Sequence, residues 1–232
     1  MSTELIKVRH PRVGRIVTRV ERPPEDAVRI LSSCYTGLIS DALGKLGTMY
    51  HDVKPIAPGM RLCGPALTFW GDDWDAKRHA YEMTRPGDVL VIAGGSKDLA
   101  SFGDFSATVL LAHGAAGAVI DGATRDADGI TRLGLPVFAR AITMRNRHYP
   151  TGPENCAINV PVACAGAIVN PGDIVVGDSD GVVVVPWEIA LDLARQLERE
   201  LEHESPKRQR VSSPDFTFGL LPELQKLGYE ID

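Results

Sequence analysis

Three charged side chains are spaced so that they could do chemistry together: Asp104, then Arg125 and Asp126. Asp104 opens DFSATVLLAH (Asp104–His113), whose apolar spacing predicts a helix with an acidic N-cap candidate. Arg125 and Asp126 come shortly after AGAVI (Ala116–Ile120), a short apolar run that predicts a buried strand, with Asp121-Gly122 beginning a loop. In open α/β sheets, ligands bind beyond the carboxyl ends of the strands. A helix N-terminus aimed at the same crevice favours an anion. One β-α-β unit would thus deliver two carboxylates, a guanidinium and a helix N-terminus to one place.

That set suits a definite chemistry. A carboxylate can hold a hard divalent cation such as Mg²⁺, with water filling the remaining positions. The cation can chelate a 2-oxo acid and polarise it as a Lewis acid, with no Schiff-base lysine. Arg125 can stabilise an enolate oxygen as charge develops, and the second carboxylate can position a water for proton transfer. From position alone, the same residues equally describe a surface Arg–Asp pair beside an ordinary helix cap. Other chemistries lack their signatures: there is no GxxxxGK[ST] loop, no GxGxxG opening a helix, no HExxH and no GxSxG. The six histidines are scattered without ligand spacing, and His113 reads as a helix cap.

The surrounding elements must position these residues. Helices are expected over Glu25–Cys34, Ser40–Leu46 (stopped by Gly47), Asp75–Thr84 and Trp187–Glu204, with a last one near Asp215–Leu227. The 187–204 helix carries an apolar stripe of Ile189, Leu193 and Leu197. Strands are expected over Met60–Phe69, bent at Gly64-Pro65, over Gly87–Gly94 and over Leu135–Arg140. The β-α-β rhythm in the middle predicts parallel strands. Between Ala165 and Pro186, Asn170-Pro171-Gly172 and Asp178-Ser179-Asp180-Gly181 are turn sequences that predict antiparallel hairpins. The first 24 residues read as an arm, followed by one α/β domain over 25–232.

The 232 residues carry 25 Lys and Arg against 30 Asp and Glu, a net charge of −5, which argues against a dedicated nucleic-acid binder. The local exception is the arm, with Lys7, Arg9, Arg12, Arg15, Arg19 and Arg22, read as solvated or as meeting a neighbouring subunit. Cys34, Cys63, Cys156 and Cys164 form no CxxC pair and read as reduced, structural thiols. The start, MSTELIKVRHPRVG, has no long apolar stretch, and no segment is apolar for long enough to span a bilayer, so a cytoplasmic location is expected.

At its candidate site the chain strongly resembles the RraA-like family, which includes the 4-hydroxy-4-methyl-2-oxoglutarate/4-carboxy-4-hydroxy-2-oxoadipate aldolases. The family signature is Asp, twenty residues, then Arg-Asp; here Asp104 is followed by residues 105–124 and then Arg125-Asp126. GAAGAVIDGATRD, LPVFAR, ISDALGKLG, RLCGPALTF, RPGDVLVI and NPGDIVVGDSDGVVVVP extend the likeness from about residue 30 to residue 205. The resemblance implies a swivelling β/β/α fold, a single domain with a mixed sheet and C-terminal helices, assembled as a homotrimer or homohexamer with sites between subunits. It implies Asp126 as the ligand of Mg²⁺ or Mn²⁺, and Arg125 as the group that binds substrate and stabilises the pyruvate enolate. Gly103, Asp104, Phe105 and Ser106 would form the substrate-binding loop, with Asp104 also holding water on the metal. The implied reaction is retro-aldol cleavage of a 4-hydroxy-2-oxo acid to pyruvate, with oxaloacetate decarboxylation as a side activity. A neighbouring subunit's C-terminal helix would add an acidic residue, for which Glu198, Glu200 and Glu202 are candidates.

Two features depart from the family pattern: the basic, aromatic segment from Ala141 to Asn155, and the long arm. Some RraA relatives instead inhibit ribonuclease E and are not known for aldol chemistry, although they keep the same Asp…Arg-Asp pattern. A regulatory binding protein is therefore the alternative reading.

Overall fold

The computed structural model describes residues 12–146 and 152–230; within the C-terminal helix, the side chains of 203–209 are not described. Seven α-helices are described: α1 (Glu25–Leu31), α2 (Thr36–Ala42), α3 (Trp74–Glu82), α4 (Asp104–Ala112), α5 (Ala127–Leu133), α6 (Ala190–Val211) and α7 (Leu221–Lys226). The strands are β1 (Lys54–Pro55), β2 (Leu62–Gly71), β3 (Val89–Ala93), β4 (Ala100–Phe102), β5 (Gly117–Thr124) and β6 (Val137–Ile142), then β7 (Cys156–Ile158), β8 (Val162–Cys164), β9 (Ala167–Val169), β10 (Ile174–Asp178) and β11 (Gly181–Val185). A large mixed sheet runs β1-β6-β5-β3-β2-β10-β11, with β4 beside β5 and β7 beside β2; β8 and β9 pair separately. The expected parallel middle is present: β2, β3, β5 and β6 are parallel neighbours.

Period-two alternation explains how this sheet closes on itself. Along β3, Val89, Val91 and Ala93 enter one core, while Leu90 and Ile92 enter a second under α3, α4 and α5. Along β10 and β11, Val175, Val182 and Val184 enter that same first core, while Ile174, Val176, Val183 and Val185 face α1, α2 and α6. Both wings of the sheet therefore share one inner face. This is the α/β, near-barrel arrangement with C-terminal helices expected of the swivelling fold.

The hinge between the wings is β2. Leu62–Pro65 pair antiparallel with β10, and Ala66–Trp70 pair parallel with β3. The hand-over falls at Gly64-Pro65, where the sequence predicts a bend. A Cβ on Gly64 would lie 2.0 Å from the Gly87 carbonyl oxygen, so no other residue fits without moving backbone.

Several sequence expectations need correction. β5 does not end at Ile120: Asp121 and Gly122 lie within the strand, because β4 and β6 pair with its last residues, Ala123 and Thr124, across an irregularity. Asp104 is the first residue of α4 and not its N-cap, a position held by Gly103 in extended conformation. α2 starts at Thr36 and not Ser40, because Asp178 caps it from 142 residues away, accepting from Thr36 N at 2.9 Å and Thr36 Oγ1 at 2.6 Å. Asp178-Ser179-Asp180-Gly181 closes the β10–β11 hairpin as expected. Asn170-Pro171-Gly172 closes none, since β9 pairs with β8 and β10 with β2. The buried stripe of α6 is Ala190, Leu193, Ala194 and Leu197, whereas Ile189 precedes the helix and is exposed. The sequence pattern predicts neither β4 nor α5. The final helix is shorter than expected and buries no residue.

The described part of the arm is not loose. Gly14 N and Val17 N donate to Cys156 O and Ile158 O, and Arg22 pairs with the buried Asp88 at 2.6 Å. Lys7 and Arg9 lie outside the described residues. The four cysteines are free thiols, and burial pushes Cys63 up to about 12. Among the described residues, no helix is long and apolar enough to cross a membrane.

Gly64→Ala should destabilise the protein by about 1–3 kcal/mol or more, the scale of overpacking in a closed interior. Gly37→Ala, in α2 with nothing within 4 Å of its Cβ, should be neutral or mildly stabilising. Urea unfolding of both variants tests this; equal stabilities would show that the β2 hand-over tolerates a side chain.

Candidate active site

The sequence folds to put Asp104, Arg125 and Asp126 at one corner. β4 leads into Gly103 and α4, and its last residue, Phe102, accepts from Arg125 N at 2.9 Å and from Thr124 Oγ1 at 3.1 Å. That pairing fixes where β5 stops. Asp126 then turns the chain with a left-handed backbone (φ 56, ψ 37) into α5. Asp is among the few L-residues that enter this region, but at a cost on the order of 1–2 kcal/mol. Although Asp126 occupies the N-cap position of α5, its side chain caps nothing. It turns back to Arg125, with Asp126 Oδ2 3.2 Å from Arg125 Nε, and the two side chains are 36% and 43% exposed.

Two glycines complete the corner. A Cβ on Gly103 would come within 2.6 Å of Asp126 Oδ2 and 3.3 Å of Arg125 Cγ. A Cβ on Gly129, in the first turn of α5, would come within 3.0 Å of Asp104 Oδ2. The Asp126 carboxylate therefore sits in the space Gly103 leaves open, and the Asp104 carboxylate lies against the helix that Asp126 starts. The structure thus brings together Gly103, Asp104, Arg125 and Asp126. Phe105 stands beside them, 63% exposed. Ser106 does not present its hydroxyl: the side chain is buried and accepts from Tyr81 OH at 3.0 Å. A loop role for Ser106 would fall to its backbone.

Sequence reasoning missed the support beneath this loop. Lys77 on α3 is fully buried, donates to Ser101 O at 2.8 Å and lies over the Trp74 ring at 5.5 Å. One turn later, Tyr81 holds Ser106. The i, i+4 pair of α3 therefore grips the chain on both sides of Gly103–Phe105. Glu198, Glu200 and Glu202 are exposed on α6, whose buried face serves the α1–α2 core and not the core under α4 and α5. Of the departing segment 141–155, residues 147–151 lie outside the described residues.

A second group at the carboxyl edge also escaped the sequence. Arg140 Nε and Nη2 donate to Asp52 at 3.1 Å, Arg140 Nη1 donates to Asp121 Oδ1 at 2.9 Å, and Lys97 also pairs with Asp52. Asp121 Oδ2 accepts from Ala165 N at 2.9 Å. The β5–β6 register aligns Ile120 with Ala139, which places Asp121 and Arg140 side by side; this is invisible until the register is known. The bonds from Lys97 and then Arg140 hold Asp52 down at about 2. Because its folded pKa is depressed, Asp52 contributes stability that is full above about pH 4 and is lost as pH falls through about 2. The stability difference between wild type and Asp52→Asn, from urea unfolding, should accordingly shrink between pH 4 and pH 2. A difference that stays constant over that range would contradict the network.

Comparison with known proteins agrees with this geometry. Residues 36–184 match the RraA-like family, described as Aldolase/RraA, a span that contains Gly103–Ser106, Arg125 and Asp126 but not Glu198, Glu200 or Glu202. A putative 4-hydroxy-4-methyl-2-oxoglutarate aldolase from Halalkalibacterium halodurans is 41% identical over 181 residues, covering 76% of this chain and 84% of the relative. The crystal structure of Streptomyces coelicolor RraAS2, described as an unusual member of the RNase ES inhibitor RraA family, is 32% identical with a TM-score of 0.72, covering 83% of this chain and all of that one. The RNA-processing inhibitor RraA from Thermus thermophilis is 26% identical with a TM-score of 0.58, covering 66% of this chain and 93% of that one. The extent of the match, together with the Asp104…Arg125-Asp126 corner, establishes that the chain belongs to the RraA-like family.

Proposed function

We propose that the chain is a divalent-metal-dependent lyase that cleaves 4-hydroxy-2-oxo acids to pyruvate and decarboxylates oxaloacetate through the same enolate. The observation that carries this reading is the Gly103 contact, which leaves room for the Asp126 carboxylate beside Arg125, at the residue that precedes Asp104.

The residues fit a hard cation. The corner offers carboxylate oxygens, and among the described residues no three His, Cys, Asp or Glu side chains converge. A metal there would keep much of its water, as Mg²⁺ does. Asp126 would hold it directly and Asp104 through water. When bound, Mg²⁺ or Mn²⁺ supplies Lewis-acid polarisation of the substrate's 2-oxo group.

The chain's own residues do the rest. The Asp104 carboxylate orients a water that takes the proton of the 4-hydroxyl. The C3–C4 bond then breaks, a carbonyl forms at C4, and the bonding electrons become the enolate of pyruvate. Arg125 binds the substrate and donates to the enolate oxygen as its charge grows, so its contribution is largest in the transition state. Protonation at C3 gives pyruvate. With oxaloacetate the same bond releases CO₂. An acidic residue from α6 of a neighbouring copy, drawn from Glu198, Glu200 and Glu202, completes the site in a homotrimer or homohexamer.

The second reading is an RraA-type binding protein that inhibits an RNase E-like enzyme without aldol chemistry. The solved relatives favour it: one is described as an RNA-processing inhibitor, and RraAS2, described as an unusual member of the RNase ES inhibitor family, is matched over its own full length and over 83% of this chain. As a set, the comparisons lean toward this second reading, while the corner's open carboxylate and guanidinium support the first.

Pyruvate release from a panel of 4-hydroxy-2-oxo acids and from oxaloacetate, with Mg²⁺ or with EDTA, separates the two. EDTA-sensitive pyruvate formation is expected. Asp126→Ala should abolish it in a folded protein. Arg125→Lys keeps the charge but loses the planar fork, and should lower kcat by ~10²–10³ with the apparent metal constant nearly unchanged. A folded wild type that releases no pyruvate from any substrate, yet slows RNA cleavage by an RNase E-type enzyme, would establish the second reading instead.

A further inference from the structure

At the opposite edge of the sheet from the candidate site, where β3 begins, the arm closes over a cleft of about 260 Å³. Its floor is Ala66 and Leu67 of β2, its apolar walls are Val20 and Met83, and Arg22, Arg85 and His79 stand around it. The single carboxylate in the lining, Asp88, is already committed: Oδ1 accepts from Arg22 Nη2 at 2.6 Å and Oδ2 from Arg85 N at 2.9 Å. The Arg85 guanidinium has no ion-pair partner among the described residues. With two arginines and one aspartate, the lining carries one positive charge in excess, while His79 Nδ1 lies 3.3 Å from Glu82 Oε2 and adds none.

The cleft is built and not incidental. Arg85 is rooted in the turn Arg85–Asp88, closed by Asp88 N donating to Arg85 O at 3.0 Å. The arm is pinned by the Arg22–Asp88 pair, by Asn159 Nδ2 donating to Val17 O at 3.0 Å, and by its close passage over Gly172, where a Cβ would meet Glu21 O at 2.2 Å. Asn159 lines the cleft with its own backbone in the left-handed region (φ 53). Thr18, Val20 and Arg22 lie outside residues 36–184, so this wall is an addition to the part of the chain that matches the family.

We infer that this cleft is a second binding site, for a small organic monocarboxylate whose charged end meets Arg85 and whose short apolar stem lies on Val20, Leu67 and Met83. The volume is that of about eight or nine liquid waters at ≈ 30 Å³ each, which gives room for a stem of a few carbons. One excess positive charge matches one carboxylate, and the apolar floor favours a stem over a bare inorganic anion. The inference does not depend on the activity proposed above.

The test is isothermal titration of the full chain with sodium valerate, inorganic phosphate and 1-pentanol. Saturable millimolar binding of valerate is expected, with phosphate weaker and 1-pentanol undetected. Among the described residues Arg85 makes no side-chain hydrogen bond or ion pair, so Arg85→Gln should stay folded and weaken valerate by about tenfold or more, the scale of a lost charge-assisted hydrogen bond. In the folded Arg125→Ala variant, valerate binding should persist. Lack of saturation by valerate, equal binding by wild type and Arg85→Gln, or loss of binding in Arg125→Ala would each overturn the site. Phosphate binding as tightly as valerate would overturn the assignment of an apolar stem.

Discussion

The architecture depends on β2 serving three partners. Its first residues pair with β10, its later ones with β3, and its end also with β7. Pro65, at the hand-over, has no N–H to donate, and Ala66 N donates instead to Asp173 O at 2.8 Å, from the turn before β10. Both wings then face one valine-rich core, and the carboxyl ends of β4 and β5 are left at an edge with no strand continuing past them. Gly64 makes this possible by letting the Gly87 carbonyl approach where a side chain would stand.

That edge holds one of the four non-glycine residues with positive φ among the described residues. Asp126 accepts a left-handed backbone and declines the capping bond available to it. Those two choices keep its carboxylate beside Arg125 and facing outward. Gly103 and Gly129 hold the same corner open from either side, while Lys77 and Tyr81 fix the loop from below. A fully buried lysine is costly unless its charge is satisfied, and this one is spent on the strand that leads into Gly103. The Arg140–Asp52–Asp121 network locks β5 to β6 a short way before the corner. The loop's geometry is therefore set by buried contacts and does not rest on the exposed side chains themselves.

Much of this was legible from local pattern. The apolar run at Val89–Ala93 and the helix from Asp104 are written in spacing and turn residues. The Asp104…Arg125-Asp126 set was legible as a motif, and the fold as a resemblance. What stayed hidden were effects of distant partners. Asp178 caps α2 across 142 residues. The register beside β6 turns Asp121 from a loop residue into an ion-pair partner. Strand β4, three residues long, exists because β5 on one side and Arg145-Asn146 on the other are there to pair with it. Ser106 looks like any exposed helix-start serine until Tyr81 is found behind it.

The proposed chemistry requires Asp126, Asp104 and Arg125 to form a metal site that recognises a planar oxo-acid oxyanion. Titration of Mn²⁺ into the full chain, followed by electron paramagnetic resonance with and without oxalate as a mimic of the pyruvate enolate, tests this apart from any turnover. The prediction is saturable Mn²⁺ binding that oxalate tightens, with the oxalate effect lost in Arg125→Lys and the binding itself lost in a folded Asp126→Asn. Unchanged Mn²⁺ binding in Asp126→Asn would contradict it.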